Sequence, residues 1–309
     1  MAGARVPVIV GPTAVGKTAT ALELVAHLAI EVVSADSRQI YRRLDIGTAK
    51  PSRRERKRVP HHGLDLVEPG QRYSAGRFAA DAADWIAGIQ GRGNLPVVVG
   101  GTGLYVRALA EGLFREPVLT PTRRHDLQVW AETLPDSELV RWALRLDAEY
   151  KGGGRQRAIR AIELVLLTGQ PLGHWQRAAR AASPIEPWYV VLTAPRPVLH
   201  RRIRQRADEM LRRGLVEEVA AVLAEGHAPD APGLDAVGVR EAVQYLHGER
   251  DRESVAEAVA TSTRQYAKRQ ETWFRHQLHA PVLTLDATRP AAELAVDIAE
   301  AWTRQGTTG

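Results

Sequence analysis

Gly11-Pro12-Thr13-Ala14-Val15-Gly16-Lys17-Thr18 matches the pattern G-x-x-x-x-G-K-[ST] at every fixed position, and its flanks decide the fold. Upstream lies the short apolar run Val6-Pro7-Val8-Ile9-Val10. Downstream, Ala21, Leu22, Leu24, Val25 and Leu28 recur at helical spacing, which predicts a helix over Ala19–Leu28. Strand, glycine loop and helix is the context in which this motif cradles phosphate. Loop amides and a helix N-terminus converge on one small volume of positive potential suited to a diphosphate. Lys17 adds a point charge, and the Thr18 hydroxyl is placed to hold a Mg²⁺ that bridges phosphate oxygens.

Outward from the loop, apolar runs at Val6–Val10, Glu31–Ser34, Leu64–Val67 and Leu95–Val99 alternate with amphipathic stretches such as Ala75–Ile89. That alternation predicts an α/β fold, a P-loop NTPase-like parallel sheet flanked by helices. Pro117 and Pro121 break the pattern, and Thr122 to Gly169 reads as purely helical. Tyr189–Thr193 and Pro281–Leu285 read as returning strands. The predicted organisation is a core of residues 1–115 and 186–309 interrupted by an all-helical insert at 116–185.

The chain has 309 residues, 44% of them apolar, enough to bury a substantial core. A net charge of +6 favours an anionic partner. The absence of cysteine excludes disulfides, thiol nucleophiles and cysteine-ligated zinc. There is no signal-type apolar segment and no run long enough to span a bilayer, so the expectation is a soluble, cytoplasmic chain.

Ser34-Ala35-Asp36-Ser37-Arg38-Gln39-Ile40-Tyr41 follows the second predicted strand, at the sheet end where ligands bind. There Asp36 would face the phosphate loop and could take a proton from a nucleophile, or cap a helix. The Leu95–Val99 strand ends in Gly100-Gly101-Thr102-Gly103 where many NTPases carry a metal-directing Asp. That argues against ATP hydrolysis, although Asp65 offers another carboxylate. Arg53-Arg54-Glu55-Arg56-Lys57-Arg58 reads as a solvated face. Arg157 and Arg160, at i, i+3, could clamp phosphates, as could Arg202 and Arg206, at i, i+4, although a solvated surface explains either pair equally. Lys268-Arg269-Gln270-Glu271-Thr272-Trp273-Phe274-Arg275 mixes cations with aromatics as single-strand RNA sites do, although Trp273 and Phe274 suit a core equally.

Together these segments resemble the bacterial tRNA dimethylallyltransferase (tRNA isopentenyltransferase) family. The resemblance is carried by Gly11–Thr18, Asp36-Ser37 with Ile40-Tyr41, and Leu44-Asp45-Ile46-Gly47-Thr48-Ala49-Lys50-Pro51. Pro60-His61-His62, Tyr73-Ser74-Ala75, Gly100-Gly101-Thr102, Gln156-Arg157, Val237-Gly238 with Arg240, and Lys268-Arg269-Gln270 with Trp273 and Arg275 follow in the family's order. The resemblance implies transfer of a dimethylallyl group from dimethylallyl diphosphate to N6 of the adenosine 3′-adjacent to the anticodon, in tRNAs reading U-starting codons. It implies Asp36 as general base, Thr102 on the adenine, and Lys17, Arg206 and Mg²⁺ on Thr18 at the diphosphate. Contacts to tRNA are implied for Asp36, Ser37, Arg38, Gln39, Thr102, Arg124, Gln156, Arg157, Arg160, Val237, Gly238, Arg240, Lys268, Arg269, Gln270, Trp273 and Arg275. A monomer is expected. Where the family usually has Asn-Asp before Gln-Arg, this chain has Gly152-Gly153-Gly154-Arg155. The competing readings are a P-loop small-molecule or nucleoside kinase, a prenyltransferase acting on free adenine nucleotides, and a non-catalytic RNA-binding protein.

Overall fold

The computed structural model describes residues 4–112, 119–178, 183, 185–278 and 282–306. In chain order the elements are β1 (Ala4–Val10), α1 (Lys17–Leu24), β2 (Ile30–Ala35), α2 (Arg53–Arg58), β3 (His61–His62), α3 (Ala75–Gly91), β4 (Leu95–Gly100) and α4 (Gly103–Glu111). Four helices follow: α5 (Pro121–Glu132), α6 (Asp136–Leu146), α7 (Arg155–Thr168) and α8 (Leu172–Ala178). The sheet then resumes with β5 (Ile185–Thr193), α9 (Arg196–Arg212), α10 (Leu215–Ala224), α11 (Val239–Leu246), α12 (Arg252–Gln277), β6 (Val282–Asp286) and α13 (Ala291–Gly306).

The six strands form one sheet in the order β3-β2-β4-β1-β5-β6. Every pairing is parallel. Strands buried on both faces need apolar residues at consecutive positions rather than alternate ones. The last five residues of β1, all six of β2 and the last five of β4 are indeed buried. Ile9, Val97, Trp188 and Leu192 pack with Leu24 of α1 and Leu294 and Ile298 of α13. Trp188 lies 5.6 Å from Trp302 between ring centroids. From β1 the chain passes to β2 on one side, and after β4 it crosses to β5 on the other, so the carboxyl end of β1 lies at the crevice where such sheets bind ligands.

Two local expectations need correction. The helix after the phosphate loop ends at Leu24, not at Leu28. Leu64–Val67 does not form the third strand. β3 is confined to His61–His62, and Val67 makes only an isolated bridge to Tyr41. The reason lies at Asp65, whose φ of 55° turns the chain while its carboxylate accepts from Lys50 Nζ at 2.6 Å and Arg56 Nη1 at 2.6 Å. Those two cations hold its pKa down against the opposing effect of burial. Asp65 is thus committed to the Leu44–Pro51 segment rather than offered to a metal.

The chain divides into two compact units, residues 1–110 with 184–309, and residues 111–183. The second is helical. Ala131, Leu139, Ala143, Ala158, Ala161 and Ile162 form its core, and Gly169, with φ 73°, ends α7.

Candidate active site

The phosphate loop occupies the turn from β1 into α1. Gly11, at φ 148°, has no room for a side chain: a Cβ there would lie 2.5 Å from the Leu192 carbonyl oxygen of β5. Gly16, at φ 113°, is the residue from which α1 starts. Lys17 Nζ donates to the Gly11 and Pro12 carbonyls, each at 2.9 Å. An ammonium has three N–H groups, so one remains for the cavity. Burial lowers the Lys17 pKa to about 8, Asp36 opposing the shift and Arg206 adding to it. Burial also lowers the Arg206 pKa, again opposed by Asp36. Arg206 Nη1 reaches Thr13 Oγ1 at 3.5 Å.

Arg202 is neither a phosphate clamp nor a merely solvated side chain. Its guanidinium donates to the carbonyls of Val15 at 3.1 Å and Ala287 at 2.8 Å, bracing the loop from behind. Of the α9 pair, only Arg206 lines the cavity. The Thr18 hydroxyl lies in the cavity wall and makes no hydrogen bond among the described residues. No cluster of three or more His, Cys, Asp or Glu suited to a metal occurs among the described residues. A hard cation taking one oxygen from Thr18 and the rest from phosphate and water fits that donor set.

Asp36 follows β2 and faces the same space. Its Oδ1 accepts the Arg38 backbone N–H at 2.9 Å, which fixes the turn. Thr102 joins that turn to the end of β4: its hydroxyl accepts the Ser37 N–H at 3.0 Å and bonds Ser37 Oγ at 3.2 Å. Gln39 bonds Ser34 Oγ and reaches the Thr48 and Ala49 carbonyls at 3.4 and 3.3 Å. The Leu44–Pro51 segment is held from below by Glu218, an anchor that sequence reading missed. Its carboxylate accepts the N–H groups of Asp45, Ile46 and Gly47, each at 2.8 Å.

Gln270, expected among the tRNA contacts, is buried with its amide engaged by protein at both ends. Its Oε1 accepts the Thr13 N–H at 2.8 Å and its Nε2 donates to the Gly101 carbonyl at 2.8 Å. It ties α12 to the phosphate loop and to the loop after β4. One turn earlier, Tyr266 reaches the same place, and no motif pointed to it. Trp273 is half-buried, its indole over Gly103, where any Cβ would collide with the ring.

Two cavities meet here. The first, about 230 Å³, runs from the phosphate loop past Asp36 to His61. The second, about 250 Å³, is lined by Arg38, Asp235, Val237, Arg240 and Arg269. Thr13, Asp36, Arg206 and Tyr266 line both. Of the other expected contacts, Lys268 is exposed, Gly238 begins α11, and Arg275 borders a separate cavity of about 580 Å³ beside β5 and β6. In the helical unit, Gln156 and Arg157 are exposed, whereas Arg124 and Arg160 both pair with the buried Glu163.

A parallel sheet with this loop at its central strand defines an α/β protein of the P-loop type. The family model described as IPP transferase matches residues 39–277, and that described as isopentenyl transferase matches residues 4–67. The chain belongs to this family and is accordingly a prenyl-group transferase. The tRNA dimethylallyltransferase of Stenotrophomonas maltophilia strain K279a is 44% identical over 287 residues, covering 88% of this chain and 90% of that one. The full-length tRNA isopentenylpyrophosphate transferase of Bacillus halodurans superposes with a TM-score of 0.72 at 34% identity, covering 97% of this chain and 95% of its own. A eukaryotic dimethylallyltransferase acting on tRNA gives a TM-score of 0.82 at 27% identity, covering 98% and 80% respectively. No described helix is long and apolar enough to cross a membrane.

Proposed function

We propose that this chain transfers a dimethylallyl group from dimethylallyl diphosphate to N6 of an adenosine in tRNA, the adenosine 3′-adjacent to the anticodon in tRNAs that read U-starting codons. The observation that carries the reading is the wall shared by the two cavities. Asp36 and Arg206 face both the phosphate loop, which suits a diphosphate, and a second space rimmed by arginines, which suits a polynucleotide. The names of the relatives add the substrate class. The target base cannot react while stacked, so it enters the second cavity flipped out of the anticodon loop.

The chemistry at the shared wall is a displacement. N6 attacks C1 of the dimethylallyl group, the C1–O bond breaks, and Asp36 takes the proton that N6 sheds. Charge developing on the departing diphosphate is met by the loop amides, Lys17 and Arg206, already in place before the reaction. Mg²⁺ held by Thr18 would neutralise further phosphate charge. Thr102 keeps Asp36 aimed through its bonds to Ser37.

The test is incubation of the purified protein with an anticodon stem-loop, labelled dimethylallyl diphosphate and Mg²⁺, without ATP. Label should appear on the adenosine with release of diphosphate. Labelling of free AMP at the same efficiency would replace the tRNA reading, and phosphorylation of a substrate on adding ATP would replace the transfer reading with a kinase.

A further inference from the structure

Of the four residues common to both cavities, Asp36 and Arg206 act in the reading above and Thr13 belongs to the phosphate loop; Tyr266 has no part. Its position is rigidly set. Gln270 lies one turn further along α12 on the same face, and its two bonds to Thr13 and Gly101 lock the register of the helix against the site. The guanidinium of Arg269 stands 5.7 Å from the Tyr266 ring centroid. The phenol hydroxyl lies beside the Thr102 hydroxyl and the Gln270 amide. Burial, with the charge of Asp36, pushes its pKa up to about 12, so the group is an O–H at any working pH.

The wall therefore offers a carboxylate acceptor and a neutral O–H donor. Thr102 bonds Ser37, and Arg206 turns toward the phosphate loop through Thr13. Thr102 and Gln270 interact with the Tyr266 oxygen in the sense that lowers its pKa, as donors to it, which leaves the phenol's own O–H to be given. Adenine presents an N6 amino donor flanked by ring-nitrogen acceptors, whereas guanine places an O6 acceptor at the same point. An acceptor at Asp36 paired with a donor at Tyr266 is complementary to adenine and repels the O6 of guanine.

We propose that Tyr266 donates a hydrogen bond to a ring nitrogen of the flipped base, beside the amine that Asp36 accepts from, so that the pair selects adenine. This rests on the transfer reading above. The test is single-turnover transfer to stem-loops carrying adenosine, 1-deazaadenosine or 7-deazaadenosine, each analogue lacking one ring acceptor. Wild type should lose about three- to tenfold on one analogue, the scale of one hydrogen bond. Tyr266→Phe should lose a similar factor on adenosine, suffer no further loss on that analogue, and bind dimethylallyl diphosphate as wild type does. Losses that multiply, or a Tyr266→Phe rate on adenosine within about twofold of wild type, would overturn the proposal. So would a wild type indifferent to both analogues, a result independent of any variant's folding. Failure of wild type to modify adenosine at all would instead overturn the transfer reading on which it stands.

Discussion

Raising the pH from 7 to 9 should weaken diphosphate binding by about tenfold through Lys17 alone. The site holds the Lys17 amine between two carbonyls, buried, with Arg206 pushing its pKa down and Asp36 pulling it up, for a net value of about 8. A bound diphosphate stabilises the ammonium and returns the pKa toward its ordinary range, so binding takes up a proton wherever the free amine is neutral. The sign follows: affinity is full below pH 8 and is lost above it. The arithmetic for one group gives about twofold weakening at pH 8 and about tenfold at pH 9, roughly 1.4 kcal/mol. Calorimetry with a non-hydrolysable thio analogue of dimethylallyl diphosphate, in buffers of different ionisation enthalpy, should record uptake of about half a proton at pH 8. Lys17→Arg, whose guanidinium stays charged, should take up none and should remove the ligand's own titration from the comparison. Removing the Asp36 charge in Asp36→Asn should move the break to lower pH, and Arg206→Ala should move it higher. Identical profiles in wild type and Lys17→Arg, or no proton uptake at pH 8, would refute the argument that a half-deprotonated lysine sits in the loop.

Asp36→Asn should retain diphosphate and tRNA binding near neutral pH while slowing single-turnover transfer about 10²–10⁴-fold, the usual worth of a positioned base; a rate within about threefold of wild type would leave Asp36 only its turn. Arg206→Ala should cost about 3 kcal/mol in kcat/KM. Arg202→Ala should instead lower Tm, by roughly 1–3 kcal/mol of stability, because it strands the Val15 and Ala287 carbonyls. If both variants lose activity without loss of Tm, the division between clamp and brace is wrong. Arg157→Ala should flatten the log–log dependence of tRNA affinity on salt by about 0.7–0.9, one phosphate contact; an unchanged slope would place Arg157 outside the interface.

The phosphate loop was legible because its chemistry is local. Eight consecutive residues carry the glycines, the lysine and the threonine, and the apolar runs on either side are long enough to read as strand and helix. Asp36 was legible for a related reason, since a polar cluster directly after a buried strand must emerge at the ligand-binding end of a parallel sheet. Leu64–Val67 misled because its apolar content fits a strand, while the turn that forbids one depends on Lys50 and Arg56 capturing Asp65. Arg202 and Arg206 are alike in sequence and share a helix face. Only packing separates them, since Arg202 lies behind the loop and Arg206 in front of it.

What the sequence determined by itself is the loop, the placing of Asp36 and the alternation that makes a parallel sheet with a helical segment between its parts. Strand order, the meeting of two cavities at Asp36 and Arg206, and the placing of Tyr266, Gln270 and Glu218 were decided only by tertiary structure. Gln270 finds the Thr13 amide across 257 positions of chain, and Glu218 finds Gly47 across 171. A periodic pattern can say that a helix buries one face, but not which loop that face meets. That choice is made by packing all the strands and helices together, and no stretch of residues carries it alone.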